Sequence, residues 1–212
     1  MADRISLRNV VRLAALAALV AAFAPAPAHA DLLPGILSTG EADGCDPNAS
    51  RVFEAWGDSA YYTLVPGGSF EGTNSWTLKN GARVVAGNEP FYVRSSADTR
   101  SLALPAGSSA ITPTVCFNFA DWHARVFARK TASASGYIRV DVVVRSLLGG
   151  VLSILDGGTI SPRGEWQPSP KIGLLTCNIT SLLGTKAVAF RFRAVGSDFR
   201  IDDFYLDPWK SY

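Results

Sequence analysis

Between residues 136 and 195 the chain alternates apolar and polar side chains with a period of two. In residues 136–145, Ile138, Val140, Val142 and Val144 share one face. Tyr137, Arg139, Asp141, Val143 and Arg145 share the other. In residues 186–195, Val188, Phe190, Phe192 and Ala194 lie opposite Arg191 and Arg193. Successive side chains of a strand point to opposite faces, so each segment predicts a strand with one buried and one wet face. Shorter apolar runs between turn residues predict strands at 61–65, 76–78, 83–86, 91–93, 102–104, 110–112, 115–119 and 151–155. Asn80-Gly81 is the favoured pair for a type I′ turn, so 76–78 and 83–86 read as a hairpin. Gly149-Gly150 and Gly157-Gly158 bound the run 151–155. Only residues 173–183 suggest a helical turn. Many short strands with frequent turns predict an all-β sandwich of antiparallel sheets.

Two stretches stand outside this pattern. Residues 31–59 are irregular and rich in Gly, Asp, Asn and Pro from 40 to 50, so they read as an arm anchored by Phe53 and Trp56. Residues 1–30 read as a secretion signal, with Arg4, Arg8 and Arg12 before an apolar run at 13–24 and a cleavage site at Ala28-His29-Ala30. Residues 60–212 show no repeat, heptad or linker and are expected to form one domain of ordinary size. No later segment has the length and apolarity of a membrane span, so a secreted or cell-envelope location is expected.

Charge changes the picture by its absence. The three Arg and one Asp of residues 1–30 account for the whole formal charge of +2. The remaining chain is neutral, which argues against electrostatic capture of nucleic acid or an anionic membrane. Three cysteines, Cys45, Cys116 and Cys177, are an odd set for an oxidising compartment. A Cys45–Cys116 bridge is expected, tying the arm to the strand at 115–119 and contributing about 4 kcal/mol on the chain-entropy picture. Three free thiols are the alternative. With His123 the cysteines make no convincing zinc set.

The run GGSFE (67–71), then WTL (76–78), then the closing IDDFYL (201–206) resembles the galactose-binding-like jelly-roll domains of carbohydrate-binding modules. GEWQP at 164–168 resembles the Trp that precedes a late strand in such domains. The wider text WGDSAYYTLVPGGSFEG, GNEPFYV and DTRSLALPAGSSA is similar to a group of secreted bacterial proteins. The resemblance implies a jelly-roll β-sandwich and one structural calcium ion between the terminal strands, with Glu71 and Asp202 as ligands. Alternation supports a partner for Asp202, since it places that carboxylate on the face of Phe204 and Leu206. Arg200 on the same face, or a backbone turn, is an equal alternative. Asp203 is expected to be the more exposed of the two acids.

Two loops carry candidate ligand-binding chemistry. In Asp121-Trp122-His123 an indole face can stack on a sugar ring while Asp and His bond its hydroxyls. The plainer alternative is a Trp that caps the core. In the second, the loop Gly87-Asn88-Glu89-Pro90-Phe91-Tyr92 with Asp98 and Arg100, the groups of Asn88, Glu89, Tyr92 and Arg100 can read hydroxyls. The plainer alternative is a structural loop in which Glu89 meets Arg100. Trp76 and Trp166 read as core.

Catalysis finds little support. After the leader only His123 remains as a general base, and no G-x-S-x-G elbow is present. No acidic cluster at strand spacing marks a glycosidase pair. The expectation is an exported, non-catalytic module that binds carbohydrate or another extracellular polymer. An envelope structural or protein-interaction module is the alternative. A glycan-active enzyme, the more distant one, needs two carboxylates facing each other across a cleft.

Overall fold

The fold is that of a computed structural model, described for residues 49–72, 75–117, 123–145, 150–173 and 186–207, the side chains of 116, 117, 186 and 187 apart. It is a two-sheet antiparallel β-sandwich of the jelly-roll class. The strands are β1 (Thr63–Leu64), β2 (Thr77–Lys79), β3 (Arg83–Ala86), β4 (Arg100–Leu104), β5 (Ser109–Ile111), β6 (Val115–Phe117), β7 (His123–Lys130), β8 (Tyr137–Arg145), β9 (Val151–Ile160), β10 (Gln167–Pro168), β11 (Ile172–Gly173), β12 (Lys186–Val195) and β13 (Phe199–Leu206). Among the described residues, one sheet runs β10-β7-β13-β4-β3, with β1 on β13 and β11 on β7. The other runs β2-β5-β12-β8-β9, with β6 on β12.

The alternation read from the sequence places the core correctly. Ile138, Val140, Val142 and Val144 of β8 and Val188, Phe190, Phe192 and Ala194 of β12 are all buried between the sheets. Phe70, Trp76, Leu102, Leu104, Ile201, Phe204 and Leu206 meet them from the other elements. Trp76 stacks on Phe192 at 5.8 Å and meets Phe70 edge-on at 4.9 Å. Its Nε1–H donates to Pro66 O, so the indole is buried without stranding its donor.

Four local expectations need correction. Asn80 and Gly81 do form a tight turn, with φ of 54° and 88° and Ala82 N–H donating to Lys79 O. The strands on either side do not pair. β2 joins β5 in one sheet and β3 joins β4 in the other. The turn therefore carries the chain across the sandwich from one sheet to the other. Second, Gly157-Gly158 does not end β9. The register with β8 shifts between Val140 and Asp141, and the strand continues to Ile160, as a bulge allows. Third, residues 91–93 form no strand, because their backbone N–H groups bond a carboxylate instead of a ladder.

The fourth correction concerns β13. Ile201 pairs with Ala128, and Leu206 pairs with Ala124, all core residues. Between them the register shifts, and Asp203 adopts φ +49°. One extra residue reverses the alternation. Phe204 and Leu206 face the core as expected, but Asp202 sits opposite Phe127, on the outer face. Asp203 is fully buried, not the more exposed acid.

Candidate functional site

The outer face of the β13-containing sheet is covered by the arm. Phe53 stacks on Phe127 at 5.4 Å and meets Tyr62 and Tyr205 edge-on. A 3-10 turn, Glu54–Trp56, follows at once and delivers Trp56 over Phe127 at 5.3 Å. A second apolar cluster of Phe53, Tyr62, Phe127, Trp166 and Tyr205 results. Thus the anchoring role read for Phe53 and Trp56 holds.

A buried polar network ties this layer down. Arg125 lies 4.5 Å over the Phe53 ring and donates from Nη1 to Asp58 Oδ2 at 2.9 Å and from Nε to Ser169 O. Tyr62 OH donates to the same Asp58 oxygen, and Lys171 Nζ lies 3.0 Å from Oδ1. Burial alone would raise the Asp58 pKa. Hydrogen bonds from Lys171, Tyr62 and Arg125 outweigh it and hold the carboxyl below its ordinary range.

Beside this network lies a groove of about 630 Å³. Trp56 and Phe91 form one wall, and the segment from Ser161 to Pro170 forms the other, with Arg125 at the base. Phe91 packs edge-on to Trp56 at 4.9 Å and remains 44% exposed. The two rings also border a second hollow on the arm side, lined by Arg51, Val52, Ala55 and Val93. They therefore stand as a ridge with open space on both flanks. Arg163, Gln167 and Ser161 are exposed along the opposite wall. Apolar ring faces with a few amide, guanidinium and hydroxyl groups suit a ligand with C–H faces and hydroxyl edges.

The loop that presents Phe91 is built by Glu89. This residue is fully buried, and its carboxylate accepts from the N–H groups of Phe91 and Val93. Its own N–H donates to Asp202 Oδ2. Tyr92, held at φ +51°, is 49% exposed. Of the residues expected at this loop, Tyr92 and Arg100 face solvent. Glu89 shapes the loop, and the Asn88 amide donates to Glu89 O. The Glu89–Arg100 pairing weighed from sequence is not what Glu89 makes. Arg100 instead donates its backbone N–H to Glu71, whose carboxylate also accepts from Thr99 N and Oγ1. His123 begins β7 with Nδ1 3.8 Å from Asp207 Oδ2. Asp121, Trp122, Cys45 and Cys177 lie outside the described residues, as does the Cys116 side chain, although its backbone pairs with Ala187. The leader at 1–30 and nearly all of the helical turn read at 173–183 lie outside them too.

Under this loop is a set of carboxylates short of donors. Both oxygens of Asp203, Asp98 Oδ2 and Asn88 Oδ1 are buried without a hydrogen-bond partner. Arg94 pairs with the other Asp98 oxygen. Burial, then the Asp203 charge, pushes Asp202 up to about 9. Burial, then Glu89 and Asp98, pushes Asp203 up to about 7. Orphaned carboxylate and amide oxygens are the donor chemistry of a hard cation. Among the described residues, however, no three His, Cys, Asp or Glu side chains converge in metal-binding geometry. Glu89 already spends its oxygens on backbone N–H groups, and Glu71 on backbone N–H groups and the Thr99 hydroxyl.

Trp56, Trp166, Arg163 and Gln167 are groove residues that the sequence does not assign to a site, whereas Phe91 lies in the candidate loop 87–92. Their signal was present but weak: large aromatics in irregular segments, where no strand alternation accounts for them.

No protein-family model matches the sequence, and no curated protein matches it. The chain is similar in structure to carbohydrate-binding modules, the class whose motifs the sequence resembles. One is the CBM22-1 xylan-binding domain of Xyn10C from Paenibacillus barcinonensis, at 15% identity and TM-score 0.43, covering 68% of this chain and 93% of that one. Another is the family 11 module of the cellulosomal cellulase Lic26A-Cel5E from Clostridium thermocellum, at 14% identity and TM-score 0.44, covering 71% and 97%. A third is the C-terminal CBM6 of LamC from Zobellia galactanivorans, at 10% identity and TM-score 0.43, covering 69% and 98%. Identities and TM-scores this low leave the functional reading to the side chains of this chain.

Proposed function

We propose that this chain is an exported, non-catalytic module that binds a glycan along the Trp56–Phe91 ridge. The observation that carries the reading is the pair of packed rings, one 44% exposed, standing above a groove of about 630 Å³ with polar groups on its far wall. Stacking supplies affinity, and Gln167, Arg163 and Ser161 select among hydroxyl arrangements. Tyr92, exposed on the same loop, extends the aromatic surface. No helix among the described residues is long and apolar enough to cross a membrane.

The test is a glycan array followed by affinity electrophoresis in gels containing xylan or mixed-linkage β-glucan. Retardation by at least one neutral glycan is expected. Phe91→Ala should weaken it at least about tenfold, the scale of about 1.4 kcal/mol for a lost ring contact. Its melting temperature should fall only modestly, because Phe91 is 44% exposed and loses only its ring contacts with Trp56 and Phe127. An array without a single hit sinks the glycan reading. It would favour a protein-interaction role, for which the exposed Val151, Leu152 and Ile154 on edge strand β9 speak.

One calcium ion at the acidic loop belongs to the same proposal. Asp203 is the leading ligand, with Asp202 and Glu71 as its neighbours on the closing and opening motifs. The buried orphan oxygens support it, since a divalent cation would supply what the hydrogen bonds do not. Its test is part of the pH experiment below.

A further inference from the structure

Each sheet carries a group of three neighbouring arginines on its outer face, and the two groups differ in one respect. On β8 and β12, Arg139, Arg191 and Arg193 surround Asp141, which is 2% exposed. Arg193 opposes Arg139 directly across the ladder. Like charges there repel, but Asp141 accepts from the Nε of all three guanidiniums. Burial works against that carboxylate, yet the hydrogen bonds and charges of Arg193 and Arg191 hold its pKa below the usual value. Each arginine of this set therefore has a carboxylate partner.

The other set differs. Across the second sheet one rank of the ladder reads Arg83, Ala103, Arg200, Arg129, on β3, β4, β13 and β7. Arg200 and Arg129 are directly opposed. The small Ala103 between the outer arginines leaves a hollow of about 350 Å³, lined by the three guanidinium-bearing residues with Thr131 and Asp198. None of the three makes an ion pair among the described residues. Arg83 donates to Gly81 O and Arg200 to Ala86 O. Arg129 Nε is buried with no hydrogen-bond partner. The one acid at the rim, Asp198, is exposed and accepts from Ala106 N. A buried guanidinium donor without an acceptor is unfavourable, and an oxyanion is the group that removes that cost.

We infer that the Arg83–Arg129–Arg200 hollow is a second binding site, for a sugar that carries an oxyanion. A uronate carboxylate or a sulfate ester accepts the forked N–H groups of arginine in pairs. The hollow is roughly half the volume of the aromatic groove, so it suits one charged sugar unit, not a long stretch of chain. The sugar identity rests on the glycan reading above; the anion chemistry does not.

The experiment uses three probes with the full chain after export: tri-galacturonate, a sulfated disaccharide and inorganic sulfate, each followed by calorimetry at low and high salt. Binding of at least one charged sugar, weakened several-fold by 0.5 M salt, is expected. Which of the two charged sugars binds tells carboxylate from sulfate. Arg129→Gln should weaken it about tenfold or more. Arg83→Gln, on an exposed residue without an ion pair, should weaken it less and leave the melting temperature unchanged. Phe91→Ala should leave it intact while weakening retention on neutral glycan, which separates failure of one site from failure of the other. Binding of sulfate alone without either charged sugar overturns the proposal. So does sugar binding that both arginine variants retain in full.

Discussion

Asp58→Ala is expected to lower stability by about 3–5 kcal/mol, the range for removing one partner of a buried ion pair. For a domain of this size that is a fall in melting temperature of roughly 10 °C or more. The reason is what the substitution leaves behind. Arg125, 8% exposed and lying over Phe53, would keep only its bond to Ser169 O. Tyr62 OH and Lys171 would lose their acceptor as well. Because Arg125 forms the base of the groove and Tyr62 packs against Phe53, the loss should reach function. Glycan retention should weaken even at temperatures where the variant is folded. Asp58→Asn keeps the shape and one acceptor oxygen, and should recover part of the stability. A loss below about 1 kcal/mol for Asp58→Ala would mean that Arg125 finds water through the groove.

Stability should also depend on pH in two opposite senses. Asp58 and Asp141 have carboxyls held below the ordinary value of 3.8. Their contribution is present at neutral pH and is lost as pH falls through their folded values. Asp202 and Asp203 are raised, to about 9 and about 7. The folded state keeps their protons where the unfolded chain has released them. Their contribution is full below about pH 4 and is lost as pH rises through 7 and then 9. In chelator, the melting temperature should therefore peak in mildly acid solution and decline on the alkaline side. The slope is bounded by about 1.4 kcal/mol per pH unit for each group titrating. Calcium should flatten that decline, because it favours the ionised acids. Asp203→Asn should shallow the slope between pH 4 and 7 and remove the calcium response. A flat profile from pH 5 to 9 in chelator would show that the acids are not held neutral, and an identical profile with calcium would remove the cation.

How much of this could be read in advance divides along physical lines. The strands and core faces of β8 and β12 were legible because alternation is local and one face must be buried. The turn at Asn80-Gly81 was legible as a turn, but not the sheets its strands would join, which depends on distant neighbours. The phase of β13 was legible at Phe204 and Leu206 and misread at Arg200 and Asp202, because a single bulged residue inverts the face assignments on its other side without leaving a mark in the alternation. Glu89 looked like a ligand-reading residue because a buried carboxylate that caps two backbone N–H groups has the same sequence signature as an exposed one. The Trp56–Phe91 ridge was invisible as a unit. Its two rings come from an arm and a loop that meet only when both lie on the same sheet.

The position of β13 has a bearing on how the chain is made. This strand pairs with β4 and β7 on its two sides, and with β1 beyond its bulge. Thr63 meets Leu206 across that ladder. Until residues 199–206 emerge from the ribosome, β4 and β7 lack the partner that joins them, and Phe204 and Leu206 are missing from the core. The segments from β1 through β13 must therefore all be present before the sandwich can close. Such non-local closure is intrinsically slow.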